Sequence, residues 1–98
     1  MSIREEVLKF LRENKKEFEK KYRIKKIYLF GSVARGEDRE ESDIDLMVEF
    51  KKNATIFEYM EFEEVIRNRF KKKVDVATLD MIKPLILESL KKDIIDAC

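Results

Sequence analysis

The residues Asp43-Ile44-Asp45-Leu46-Met47-Val48-Glu49-Phe50 alternate with a period of two, which is the repeat of a β-strand and not of a helix. Ile44, Leu46 and Val48 therefore share one face, and Asp43, Asp45 and Met47 share the other. Any fold this chain adopts must cover the aliphatic face and leave two neighbouring aspartates on the opposite one.

The flanking segments supply that cover. Ser2 with Glu5 reads as a capping box, and Ile3, Val7, Phe10, Leu11 and Phe18 recur at helical spacing, predicting one amphipathic helix that runs to about Tyr22. Ile27 to Phe30 is short, apolar and aromatic, so it reads as a strand ended by a tight turn at Gly31. Ser32 to Arg35 leaves room for about one helical turn, and Gly36 to Ser42 reads as an exposed loop. Thr55 with Glu58 opens a second helix, whose apolar face is Ile56, Tyr59, Met60, Phe62, Val65, Ile66 and Phe70. Val74 to Thr78 alternates as a third strand, with Asp75 facing away from Val74 and Val76. Pro84 suits the first turn of a further helix through Ile86, Leu87 and Leu90, and Ile94 to Ala97 reads as a short last strand. The order predicts an α/β (α+β) sandwich with helices over a small sheet. Spacing alone leaves open whether the first two strands run parallel.

Size and composition narrow the function. Ninety-eight residues predict a single domain, 1–98, without room for a separate acceptor-binding domain. Lysine plus arginine number 22 against 21 acids, so the chain lacks the positive excess expected of a nucleic-acid protein. Histidine is absent, which removes histidine-based zinc sites and imidazole general bases, and leaves carboxylates, hydroxyls, lysine and arginine for chemistry. The sole cysteine, Cys98, cannot form an intrachain disulfide. There is no apolar signal core and no run near the roughly 20 apolar residues of a membrane span, so a cytoplasmic setting is expected.

Two aspartates at i and i+2 place like charges roughly 7 Å apart on one strand face. That arrangement is costly unless a divalent cation lies between them, and magnesium, a hard ion, prefers such oxygen ligands. Asp75, on another strand with the same alternation, would add a third carboxylate if the strands are neighbours. Three carboxylates can hold two magnesium ions about 3.5–4 Å apart, the geometry of in-line nucleotidyl transfer. Gly31 lets the backbone approach a phosphate closely, the next turn presents amide donors beside the Ser32 hydroxyl, and Arg35 can pair with a phosphate or with a nearby acid. Asp43, Asp45 and Asp75 are thus the candidate catalytic and metal-binding residues, and Gly31, Ser32 and Arg35 the candidate nucleotide-binding ones.

The stretch Gly31-Ser32-Val33-Ala34-Arg35-Gly36-Glu37, followed by Ser42-Asp43-Ile44-Asp45-Leu46, resembles the signature of the minimal nucleotidyltransferases, relatives of the DNA polymerase beta superfamily. Val74-Asp75-Val76 falls where that family carries its third carboxylate. The resemblance implies the nucleotidyltransferase fold with a small mixed sheet of three to four strands. It also implies that Asp43 and Asp45 bind both metals, Asp75 the catalytic one, and Gly31 with Ser32 the triphosphate of ATP. Members of this family act as antitoxins that bind a HEPN-type ribonuclease toxin and adenylylate a tyrosine on it, and the sequence resembles that partner. The competing expectations are a module that neutralises its partner by occlusion alone, and nucleotidyl transfer to a small molecule or RNA. The basic runs Lys20 to Lys26 and Lys71 to Lys73 read as solvated helix ends, and Tyr22, Tyr28 and Tyr59 as packing residues. Tyr59, Met60 and Phe62 read as helix packing ahead of a partner-facing patch.

Overall fold

A computed structural model describes residues 2–37, 42–78 and 94–97. Its elements are α1 (Ile3–Glu13), α2 (Lys15–Lys21), β1 (Ile24–Phe30), α3 (Gly31–Arg35), β2 (Ile44–Phe50), α4 (Ile56–Phe70), β3 (Val74–Thr78) and β4 (Ile95–Asp96). The expected helix after Pro84 lies outside the described residues.

The single helix expected up to Tyr22 is two. Asn14 sits at φ −106°, ψ 14°, and its side-chain Nδ2 donates to Phe10 O at 2.8 Å. An asparagine amide that bonds the backbone four residues back competes with the helical ladder, and the chain turns there before α2 resumes. β1 begins earlier than expected, at Ile24, with the charged Lys25 and Lys26 inside it and a register shift between Ile24 and Lys26. That irregularity hides the alternation from a strict two-residue reading.

The sheet order is β3-β2-β1-β4. β1 runs antiparallel to β2 and to β4, while β2 and β3 are parallel. The first two strands are thus antiparallel, with α3 between them in the chain. α4 provides the crossover that a parallel neighbour requires.

One face of the sheet holds the core. Ile27, Leu29, Ile44, Leu46, Val48, Val74 and Val76 meet Val7, Leu11, Phe18, Tyr22, Phe62 and Ile66 from the helices. Phe18 and Phe62 stack edge to face with centroids 5.4 Å apart. Thr55 caps α4 in a complete capping box with Glu58, as expected. Ser2 Oγ accepts from Glu5 N at 3.2 Å at the start of α1. Arg12 secures the last strand by donating to Ala97 O and Asp96 O, both at 3.2 Å.

Candidate active site

The opposite face of the sheet carries the acidic residues. β2 enters the sheet at Ile44, so Asp43 lies just before the strand and Asp45 is its second residue. In the parallel β2–β3 ladder Asp45 is the register partner of Asp75, and partners in register project from the same face. Ile44 and Leu46 on either side of Asp45 are fully buried in the core, which fixes the carboxylate on the other side by the pleat alone. Asp43 and Asp45 are half-buried and Asp75 is exposed.

On the other flank, Phe30 of β1 pairs with Asp45, and the chain turns directly from Phe30 into α3. Gly31 makes that turn at φ +77°, a conformation open to glycine and strained for other residues. A Cβ on Gly31 would overlap Asp45 Oδ2 and lie 3.0 Å from Asp45 Cγ. The glycine is therefore required twice, by its dihedral and by the carboxylate against it. α3 has only five residues and is closed by Gly36 in the left-handed region, whose N–H bonds Ser32 O and Val33 O, with Glu37 N on Ser32 O at 2.9 Å. Arg4 reaches from α1 to donate to Ala34 O at 3.4 Å. Val33 and Ala34 are buried, so this short helix is anchored in the core while Ser32 stays half-buried at its start.

Electrostatics tie these residues together. The Asp45 pKa is raised above the ordinary value, first by burial and then by the negative charges of Asp75 and Asp43, with the Arg35 guanidinium partly offsetting them. Arg35 also pairs with Glu37, Nε to Oε2 3.0 Å. Asp45 thus stands beside Gly31 within the electrostatic range of Asp43, Asp75 and Arg35.

The donor set is all oxygen, which fits a hard divalent cation. Among the described residues no three His, Cys, Asp or Glu side chains are grouped so that they could by themselves hold a metal ion. Magnesium does not demand such a cage, because it keeps several waters and is held by one or two carboxylates plus substrate phosphates. The unfavourable crowding of charge around Asp45 is the feature that a cation would relieve.

Tyr59, read from sequence as packing, has a further part. Its hydroxyl donates to Val76 O, pinning β3 from α4 immediately beside Asp75. The Tyr59 pKa is raised, first by burial and then by Glu63 and Asp75. No pattern in the sequence announces this bond, since it depends on where α4 lands. An apolar cavity of about 420 Å³, lined by Phe50, Ala54, Thr55, Ile56, Tyr59 and Thr78, lies toward the far ends of β2 and β3 and takes in none of the three aspartates.

Comparison with known proteins agrees with this arrangement. The family described as "Polymerase beta, Nucleotidyltransferase" matches residues 12–95. A Methanocaldococcus jannaschii protein named "Putative protein adenylyltransferase" is 43% identical over 98 residues, covering 97% of this chain and 98% of its own. A solved structure described as a "putative minimal nucleotidyltransferase" superposes with a TM-score of 0.73 at 27% identity, covering 90% of this chain and 93% of the other. A chain from a complex of tri-AMPylated Shewanella oneidensis HEPN toxin with MNT antitoxin has the same fold, with a TM-score of 0.62 at 15% identity, covering 93% of this chain and 71% of its own. No described helix is long and apolar enough to cross a membrane. With the family match spanning most of its length and the acidic strand pair set against a glycine-led turn, this chain belongs to the polymerase beta-type nucleotidyltransferases.

Proposed function

We propose that this chain transfers AMP from ATP to a hydroxyl of a protein partner, a tyrosine on a HEPN-type toxin, and so serves as the antitoxin of a toxin–antitoxin pair. The observation that carries the reading is Asp45, half-buried, registered with Asp75, flanked by Asp43 and seated against Gly31. The adenylyltransferase name of the relative at 43% identity supports AMP as the group moved, and the toxin–antitoxin complex of the same fold supports a protein acceptor.

Asp43, Asp45 and Asp75 would hold two magnesium ions together with the nucleotide's phosphates, and the ions would supply Lewis-acid activation of the attacking hydroxyl and charge neutralisation at the leaving pyrophosphate. The chain's own groups do the rest. The Gly31–Ser32 turn offers amide donors and a hydroxyl to the triphosphate. Arg35, now paired with Glu37, is near enough to the acidic cluster to add a positive charge to the phosphate end of the nucleotide. Asp75 is the most exposed of the three carboxylates, which suits it to meet an incoming hydroxyl and accept its proton.

The test is labelled ATP incubated with the chain and a co-expressed HEPN-type toxin, with mass spectrometry of the toxin for added AMP. Transfer that is lost in Asp43→Asn and Asp45→Asn while the complex persists supports the reading. Protection by wild type and variants alike, with no transfer, would replace it with neutralisation by occlusion. Transfer to RNA or a small molecule, with the toxin unmodified, would move the acceptor to another class.

A further inference from the structure

Ile56, Phe57 and Met60 are the large hydrophobic residues left exposed among the described residues, at 62%, 71% and 58%. They lie together on the outer face of the first turns of α4, whose inner face buries Phe62 and Ile66. The charges around them are ordered. Lys52 is exposed in the turn before the helix, and Glu61 and Glu64 are exposed just after the patch. The neighbouring acids are already satisfied, Glu58 by Arg23 at 3.6 Å and Glu63 by Arg67 at 3.2 Å. Lys52, Glu61 and Glu64 form no ion pair among the described residues.

Along this face the surface therefore runs positive, apolar, negative. A strip of that order is complementary to itself when reversed. We propose that the outer face of α4 is the contact between two copies of this chain, packed antiparallel about a twofold axis near Phe57 and Met60. Setting Phe57 opposite the second copy's Met60 turns the second copy's Glu61 and Glu64 toward the end of the strip where α4 begins, the end at which Lys52 stands in the preceding turn. The twofold repeats this arrangement on the other side, as an isologous contact must. Ile56 also lines the cavity beside Phe50 and Tyr59, which gives an apolar side chain of the second copy a recess to enter.

Two features shape the expected behaviour. Three apolar side chains with charged flanks fall short of the roughly 1,200 Å² that a stable interface buries, so association is weak and depends on concentration. The carboxylates project from the sheet face opposite α4, so pairing leaves them open. Pairing is therefore independent of the transfer reaction, and its test reads mass and not activity.

Sedimentation of the full chain, from low micromolar to several hundred micromolar, should show a rising dimer fraction. Phe57→Glu and Met60→Glu should abolish the dimer while leaving thermal unfolding near that of wild type. Lys52→Glu and Glu64→Lys should each weaken it several-fold, and the two together in one chain should restore it, since both ion pairs re-form with reversed sign. A chain that stays monomeric throughout, or a dimer indifferent to Phe57→Glu, overturns the proposal. So does a monomeric free chain whose Phe57→Glu variant loses only its hold on a co-expressed toxin, which would assign the face to the acceptor.

Discussion

The carboxylate of Asp45 occupies the space that a Cβ on Gly31 would need, with Asp45 Cγ 3.0 Å from that position. Gly31→Ala forces either the carboxylate or the turn to move, and adds the strain of a side chain at φ +77°. Such backbone strain costs of order 1–3 kcal/mol. Gly31→Ala should lower the free energy of unfolding by that amount, seen as a lower melting temperature, and lower AMP transfer by at least as much as Ser32→Ala does. Thermal melts and the labelled-ATP assay check it; a variant with wild-type stability and transfer would mean that the two residues are not in contact in solution.

Asp45 also has a pH signature. Burial, then Asp75 and Asp43, raise its folded pKa above the ordinary 3.8, so folding disfavours its charged form. Below that ordinary value the carboxyl is protonated in both states and there is no penalty. As pH rises through the raised folded pKa the penalty appears and stability is lost. In chelator-treated buffer near neutral pH, Asp45→Asn should therefore melt higher than wild type, with the gap closing as pH falls toward 4. Scanning the melts of both proteins across acid pH measures this directly, and an asparagine variant that melts lower at neutral pH contradicts the electrostatic reading.

Much of this candidate site was legible because the aliphatic face of β2 packs into the core, although Met47 on the aspartate face is fully buried as well. Ile44, Leu46 and Val48 must face the core, so Asp43 and Asp45 had no alternative, and the repeat of the pattern at Val74-Asp75-Val76 pointed to a second strand of the same kind. The Thr55–Glu58 capping box was equally plain, because its spacing is set by the backbone alone. What escaped was tertiary. The break at Asn14 depends on a side-chain bond to Phe10 O, and the direction of β1 relative to β2 on tertiary pairing that the spacing of the two strands does not fix. The Gly31–Asp45 contact depends on the pairing of Phe30 with Asp45, and the Tyr59 bond to Val76 O on the landing of α4 against β3.

Lys71 ends α4 at φ +54°, in the left-handed region, with its N–H on Arg67 O at 2.8 Å. A residue with a Cβ pays roughly 1–2 kcal/mol there, and glycine escapes the penalty while giving up some unfolded-state restriction. Lys71→Gly should stabilise the protein by about 0.5–1 kcal/mol, the C-cap preference for glycine. Chemical denaturation is the measurement, and a destabilised variant would show that the exposed lysine contributes more than its backbone strain costs.

Phe62 is fully buried and touches both Phe18 and Tyr22, at centroid distances of 5.4 and 6.0 Å, so it joins α4 to α2. Removing a buried phenylalanine costs about 3–5 kcal/mol. Phe62→Ala should consume much of the roughly 5–15 kcal/mol that holds a domain folded, and should be seen as a large drop in the denaturant midpoint. Phe57→Ala, on the exposed face of the same helix, is the control and should change the midpoint little.

Asp75 and Asp45 share a register position but not an environment, since Asp45 is half-buried against Gly31 and Asp75 is exposed on the neighbouring strand. If Asp75 accepts the proton of the acceptor hydroxyl, and the nucleotide is held at the Gly31–Ser32 turn as proposed, loss of Asp75 affects the reaction more than it affects nucleotide binding. Asp75→Asn should reduce kcat by about 10²–10⁴, the usual contribution of a general base, while the affinity for a non-hydrolysable ATP analogue changes only a few-fold. Asp45→Asn, with its carboxylate central to the cluster, should lose both. Calorimetric titration with the analogue, set beside single-turnover transfer, separates the two outcomes. Equal losses of binding in both variants would place Asp75 in the nucleotide's hold and leave the proton acceptor elsewhere.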